Sequence, residues 1–309
     1  MRNLLVVVVQ AFVVLALLCS CASARDVLLK ADADYSWHDV FFVDSKTGFV
    51  VGDGGRMMRT GDGGKTWQKL STGVARNVRL TGVWFFDREN GLVCGTLGTL
   101  YRTSDGGKTW KRLGAFGAEL EDMAFCGRKV GYAVGLSGRI LYTHDGGMRW
   151  VETRRRTGRM LLGVACRGDS LAWAVGLGGT IVQTADGGKT WELQDSGTST
   201  ILMDVCFVDE SHGWAVGMDG VIIHTVDGGK TWLAQESGAK HEFDAVRFVD
   251  ERTGFIVGQE SIFLRTVDGG KTWQKEILID RDKWFYSLFM LDAKSGYACG
   301  KDGILVCLP

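Results

Sequence analysis

Three aspartates, Asp39, Asp122 and Asp204, recur at one position in alternate copies of a repeat of about 41 residues. Carboxyls about 5 to 10 Å apart could act as the acid and base of glycoside hydrolysis. The competing expectation is that they bond backbone amides at a channel rim. The five histidines, His38, His144, His212, His224 and His241, share no ligand spacing, so a metal site is not expected. Six cysteines follow Ala24; Cys94 and Cys299 replace a small strand residue, while Cys126, Cys166 and Cys206 lie in or at the end of another strand. Their different offsets nominate no disulfide pair, and buried thiols are expected.

The most repeated chemical group is Asp-Gly-Gly-Lys-Thr-Trp or a close variant. Its aspartates are Asp62, Asp105, Asp145, Asp186, Asp227 and Asp268, at intervals of 43, 40, 41, 41 and 41 residues. An aspartate at a hairpin accepts bonds from its own turn, and paired glycines supply positive φ. Six copies argue for a structural role, since a catalytic constellation is needed once, and no further carboxylate recurs at calcium-ligand spacing. The third copy carries Met148 and Arg149 in place of Lys and Thr.

The elements that hold these residues follow from the period. Short apolar runs and glycine turns repeating at this length are the signature of a β-propeller. In the fifth unit, 203–207, 213–216, 221–225 and 231–235 read as four strands. Residues 22 positions before each box, Val40, Val83, Met123, Val164, Val205 and Val246, lie in the first strand of each unit. A seventh unit begins at Leu288 and ends before its box and fourth strand. Residues 25–31, Arg-Asp-Val-Leu-Leu-Lys-Ala, stand where a fourth strand is missing, so the N-terminal strand should close the last blade. The expectation is an all-β, seven-bladed propeller of four-stranded blades over 25–309, as a single domain.

Composition narrows the partners. With 36 basic and 36 acidic residues among 309, bulk attraction to nucleic acid or anionic membrane is not expected. Residues 1–24 read as a signal peptide: Arg2, an apolar run from Leu4 to Leu18, then Ala22-Ser23-Ala24. The stretch Leu18-Cys19-Ser20-Cys21 also resembles a lipobox with Cys21 as acceptor. An exported monomer, in the periplasm or cell envelope and either free or lipid-anchored, is expected.

Thr-x-Asp-Gly-Gly-Lys-Thr-Trp resembles the Asp-box, or bacterial neuraminidase repeat, of sialidases, some endoglucanases and sorting receptors. The fuller unit, Gly-Trp-Ala-Val-Gly-x-x-Gly-x-Ile before the box, is similar to the photosystem II stability and assembly factor family and its relatives in non-photosynthetic bacteria. The resemblance covers 25–309. It implies an exported seven-bladed propeller without catalysis or cofactor, whose photosynthetic members bind a membrane-protein subunit during assembly. A sialidase would need three convergent arginines and a tyrosine nucleophile. Tyr101, Tyr132, Tyr142 and Tyr297 are in register with structural positions, which leaves Tyr35 and Tyr286. The lone proline, Pro309, cannot form the Arg-Ile-Pro motif near the start that such enzymes carry.

One face breaks the repeat. The turn between strands two and three carries Leu136, Leu177 and Met218 in blades three to five, against Asp53, Thr96, Gln259 and Lys301 elsewhere. Approaching strand one, blades four and five carry Leu162 and Met203. The loop before blade four adds Arg154, Arg155, Arg156 and Arg159. An apolar patch rimmed by arginine suits a protein client such as a membrane-protein subunit or peptide segment. The alternatives are an ordinary solvated loop beside turns folded inward, or a carbohydrate-binding or glycoside-hydrolysing propeller.

Overall fold

The computed structural model describes residues 27–29, 34–114, 116–153 and 157–308. The leader at 1–24, Cys21, and Arg154, Arg155 and Arg156 fall outside them. Seven antiparallel four-stranded sheets follow one another along the chain. In blade five the strands are Leu202–Phe207, Gly213–Gly217, Ile222–Thr225 and Leu233–Gln235, within two residues of the expectation. The last sheet takes Phe285–Asp292, Ser295–Gly300 and Leu305–Leu308 from the C-terminus and Val27–Leu29 from the N-terminus. Val27 pairs antiparallel with Val306, so the ring closes as the missing fourth strand implied.

Strand two is buried along its whole length in most blades, as in Gly48–Gly52, Gly91–Gly95 and Gly213–Gly217, because a neighbouring blade covers each of its faces. The core is therefore a series of clusters between blades. At four seams a large strand-two ring of one blade meets the last strand-one ring of the next. Tyr297 stacks on Phe42 at 3.9 Å, and Phe49 on Phe85, Trp173 on Phe207 and Trp214 on Phe248 each at 3.6 Å. The box tryptophans close these stacks edge-on; Trp67, Trp110, Trp232 and Trp273 lie 5.9–6.2 Å from Phe42, Phe85, Phe207 and Phe248. Three strand-two aromatics also donate across the seam: Trp173 to the Gly228 carbonyl, Trp214 to Gly269 and Tyr297 to Gly63.

Each box is closed on itself. In blade five Thr225 donates its hydroxyl to Asp227 at 2.8 Å and accepts the Gly229 amide at 2.8 Å. Thr231 gives its amide and hydroxyl to the two carboxylate oxygens of Asp227 at 2.9 and 2.7 Å. In the third copy Arg149 supplies only its amide to Asp145, because the threonine hydroxyl is gone. Bonds from the threonine four residues on hold the Asp62, Asp105, Asp227 and Asp268 carboxyls down to about 2. Whereas the second box glycine bonds within the box, the first, Gly228, donates its amide to the Ser211 carbonyl in the hairpin between strands one and two. The boxes and those hairpins thus share one end of the ring.

Thr225→Val should cost about 2 kcal/mol in denaturant unfolding, since it strips the buried Gly229 amide of its acceptor; a cost within error of zero would remove the closed-box account. The depressed aspartates stabilise the fold above the ordinary carboxyl range, and that contribution is lost as pH falls from about 4 towards 2.

Candidate functional site

At the end opposite the boxes, one backbone bond recurs in every blade. The first turn residue after strand two donates to the carbonyl just before strand one: Asp53 to Ser36, Thr96 to Arg79, Leu136 to Glu119, Leu177 to Met160, Met218 to Ile201, Gln259 to Glu242 and Lys301 to Trp284, all at 2.8–3.1 Å. The glycine preceding each turn explains the constancy. A Cβ on Gly52, Gly95, Gly135, Gly176, Gly217, Gly258 or Gly300 would lie 1.9–2.1 Å from that same carbonyl oxygen. The turns and the strand-one entrances are consequently one rigid surface around the channel.

All seven first strands slip register between their first and third residues. A bulge there lets two consecutive side chains face the channel. They line a cavity of about 390 Å³ at its mouth. The outer tier is His38, Thr81, Glu121, Leu162, Met203, Asp244 and Tyr286; beneath it the carboxylates Asp39, Asp122 and Asp204 alternate with Gly82, Gly163 and Ala245, and Ser287 completes the ring. Small neighbours are required: a Cβ on Gly163 would come within 2.9 Å of the Asp204 backbone.

The three aspartates staple blades together. Each accepts the amide of the next residue, Val40, Met123 or Val205, on one oxygen. On the other it accepts an amide from the following blade, Val83, Val164 or Val246, at 2.8–2.9 Å. Arg247, which the sequence reading missed, donates to Asp204 at 2.6 Å from a side chain 37% exposed to the channel. Burial opposes its charge, but the Asp204 carboxylate beside it, with smaller contributions from the other acidic groups around the channel, outweighs burial and favours the charged guanidinium. Burial, reinforced by the charges of Asp204 and Asp39, pushes the Asp122 carboxyl up to about 8. Burial also raises Asp39, to about 6, against the opposing bonds from Val83 and Ser287.

The expected patch divides into two tiers. Leu162 and Met203 are half-buried in the cavity wall, while Leu136, Leu177 and Met218 stand on the turns outside it. Leu136 is 39% exposed; Leu177 and Met218 are half-buried. Arg159 reaches across to the Gly178 carbonyl at 3.0 Å and so braces the Leu177 turn. The sequence reading also missed Leu97, which is 55% exposed beside Thr96 with φ of 59°. Its counterparts are Gly54, Ser137, Gly178, Asp219, Glu260 and Asp302, so the turn register contained the signal. Leucine in the left-handed region is strained, and such strain concentrates at functional sites.

The expectation of buried thiols needs correction for three of the six cysteines, because Cys126, Cys166 and Cys307 are disulfide-bonded. Cys126 and Cys166 form a disulfide between blades three and four, whereas Cys94, Cys206 and Cys299 are buried thiols as expected. The offsets concealed the pair because the two first strands meet out of step at their ends. Folding likewise brings His212 to Asp209 at 2.8 Å and to Glu251 of the next blade at 3.8 Å, an ion-pair cluster that no spacing revealed.

Models of the family described as photosynthesis system II assembly factor YCF48 match residues 22–117, 115–192, 190–281 and 237–307. The chain belongs to this family. Among solved structures it is similar to a YCF48 bound to D1 peptide, at TM-score 0.77 and 21% identity, over 91% of this chain and 95% of that one. YCF48 from Cyanidioschyzon merolae superposes at TM-score 0.75 and 22% identity, covering 92% and 98%. The WD40 β-propeller domain of Doa1 follows at TM-score 0.74 with 13% identity, over 91% and 95%. No curated protein matches the sequence.

The channel carboxyls set a pH dependence. Unfolded aspartate ionises near 4, so up to about 8 the folded chain keeps a proton on Asp122 that the unfolded chain has lost, and stability falls as pH rises through that window. Burial lowers His224 to about 4, so its opposing contribution is confined below the ordinary histidine range. The thermal unfolding temperature should accordingly fall from about pH 6.5 to about pH 8, with a flatter profile for Asp122→Asn. Identical slopes in the two proteins would refute this assignment.

Proposed function

We propose that this YCF48-family chain is an exported, non-enzymatic propeller that holds a protein client on the face opposite its boxes. Its task would be to assist assembly or stability of a membrane or envelope complex. The observation that carries the proposal is the apolar arc on that face: Leu97, Leu136, Leu177 and Met218 on four successive turns, with Leu162 and Met203 below them. Repeats elsewhere show that each of these turns can be built with polar residues or glycine, so folding does not require leucine there. Exposed apolar side chains on a rigid, preorganised surface lower the entropic cost of binding.

The client proposed is a membrane-protein subunit or a peptide segment of one, in keeping with the D1 peptide held by the similar YCF48. Arg154, Arg155, Arg156 and Arg159 belong to the same proposed surface and would supply charge at its rim. Export is supported by the Cys126–Cys166 disulfide, since such bonds persist in oxidising compartments. Release after Ala24 or lipid anchoring through Cys21 would both place a monomer in the periplasm or envelope. Catalysis is disfavoured because Asp39, Asp122 and Asp204 spend their oxygens on backbone amides.

Replacing Leu136 and Leu177 together with aspartate should reduce client recovery from detergent-solubilised host membranes at least ~10-fold, because both would put charge into a desolvated contact. Recovery equal to wild type would defeat the proposal. Leu97→Gly separates folding from binding: relief of the left-handed strain should leave stability equal or up to about 1 kcal/mol higher, while client recovery falls. Glycoside turnover sensitive to Asp122→Asn or Asp204→Asn would favour hydrolysis instead.

A further inference from the structure

The last residue of the inner-strand pattern is Phe42, Phe85, Phe125, Phe207, Phe248 or Met290 in six blades, but Cys166 in blade four. At the corresponding seam, Tyr132 of blade three shares a buried cluster with Cys166 and has no ring of blade four's first strand to stack upon. Trp191 meets the edge of Tyr132 itself, at 5.7 Å. The Tyr132 hydroxyl is buried without a hydrogen-bond partner among the described residues, whereas Tyr297 at the same position of blade seven donates to Gly63. This seam has lost both the aromatic sandwich and the cross-seam bond. In the same place it has acquired the Cys126–Cys166 disulfide.

We infer that the seam between blades three and four is a redox-dependent latch, in which a covalent bond stands in for the aromatic stack found at four of the other six seams. A dithiol reductant would deliver two electrons and two protons to the sulfur–sulfur bond. Cys126 and Cys166 become thiols, and the reductant becomes a disulfide. Afterwards the seam retains the Asp122 bond to the Val164 amide and the remaining contacts of its cluster, but no cross-link. Cys126 is half-buried at the edge of this cluster while Cys166 is buried, so Cys126 is the more accessible of the two residues. Leu136 of blade three and Leu162 and Leu177 of blade four flank the other end of the seam, so loosening it would disorganise the face described above. That last consequence rests on the protein-binding reading; the latch itself does not.

Hydrogen exchange on the full chain, with and without dithiothreitol and with reduction confirmed by intact mass, tests the latch. Reduction should speed amide exchange at least ~10-fold in Leu120–Cys126 and Leu161–Arg167 while leaving the first strands of blades one and six unchanged. The double variant C126S/C166F, which restores a ring for Tyr132 to stack upon, should exchange within ~3-fold of the oxidised wild type even in reductant. Equal protection in the oxidised and reduced wild type would overturn the inference, as would a folded double variant no better protected than the reduced wild type. Should that variant not fold, the wild-type comparison decides alone. If client recovery is insensitive to L136D/L177D yet the seam still opens on reduction, the protein-binding reading fails and the latch stands.

Discussion

The stacking of one blade's second strand on the first strand of the next is the contact on which the ring depends. Individual blades are small twisted sheets with two apolar faces, and such a sheet cannot bury either face alone. Repeating the contact between Trp173 and Phe207, or Trp214 and Phe248, at 3.6 Å converts marginal sheets into one closed core. Closure then requires the two chain ends to pair, as Val27 and Val306 do. The boxes serve the same purpose from outside, since their tryptophans edge these stacks and their glycine carbonyls receive the cross-seam bonds.

Because the scaffold is held from the box end and the seams, the opposite face is free to vary. Its backbone is nonetheless rigid: the repeated turn bond and the glycine beneath it leave no room for a side chain or a shifted loop. Rigidity of backbone with freedom of side chain is what a binding surface needs. The departures gather accordingly, with leucine and methionine on the turns of blades two to five and carboxylates, an arginine and aromatic rings at the channel mouth. The channel carboxylates belong to both worlds. They bind blades together through amides, and their crowding at low solvation raises Asp122 far above an ordinary carboxyl.

Most of the architecture was legible in the sequence because a strict period carries its own alignment. Counting from each box located the first strand of six blades and all four strands of blade five to within a few residues, placed Asp39, Asp122 and Asp204 around one channel, and singled out Leu136, Leu177 and Met218. Leu97 was less legible because the first turn residue of its blade is the polar Thr96, and the apolar departure falls one position later. Arg247 escaped for a different reason: it lies 43 residues from its partner Asp204, on another blade and two positions further along the strand than its own blade's channel-ring residue. Spacing within a repeat says nothing about which side chain is long enough to cross the channel.

Periodicity, glycine placement and the unmatched strands at the two ends therefore determined the fold, the number of blades and the way the ring closes, because each is a property of one repeat or of the count of repeats. What only the tertiary structure decided concerns pairs on different blades: the disulfide between Cys126 and Cys166, the guanidinium of Arg247 among three carboxylates, and the division of the apolar residues between cavity wall and outer turns. Such contacts depend on the bulge that turns two consecutive side chains inward and on the angle at which neighbouring sheets meet. Neither quantity is written in the residues of a single blade.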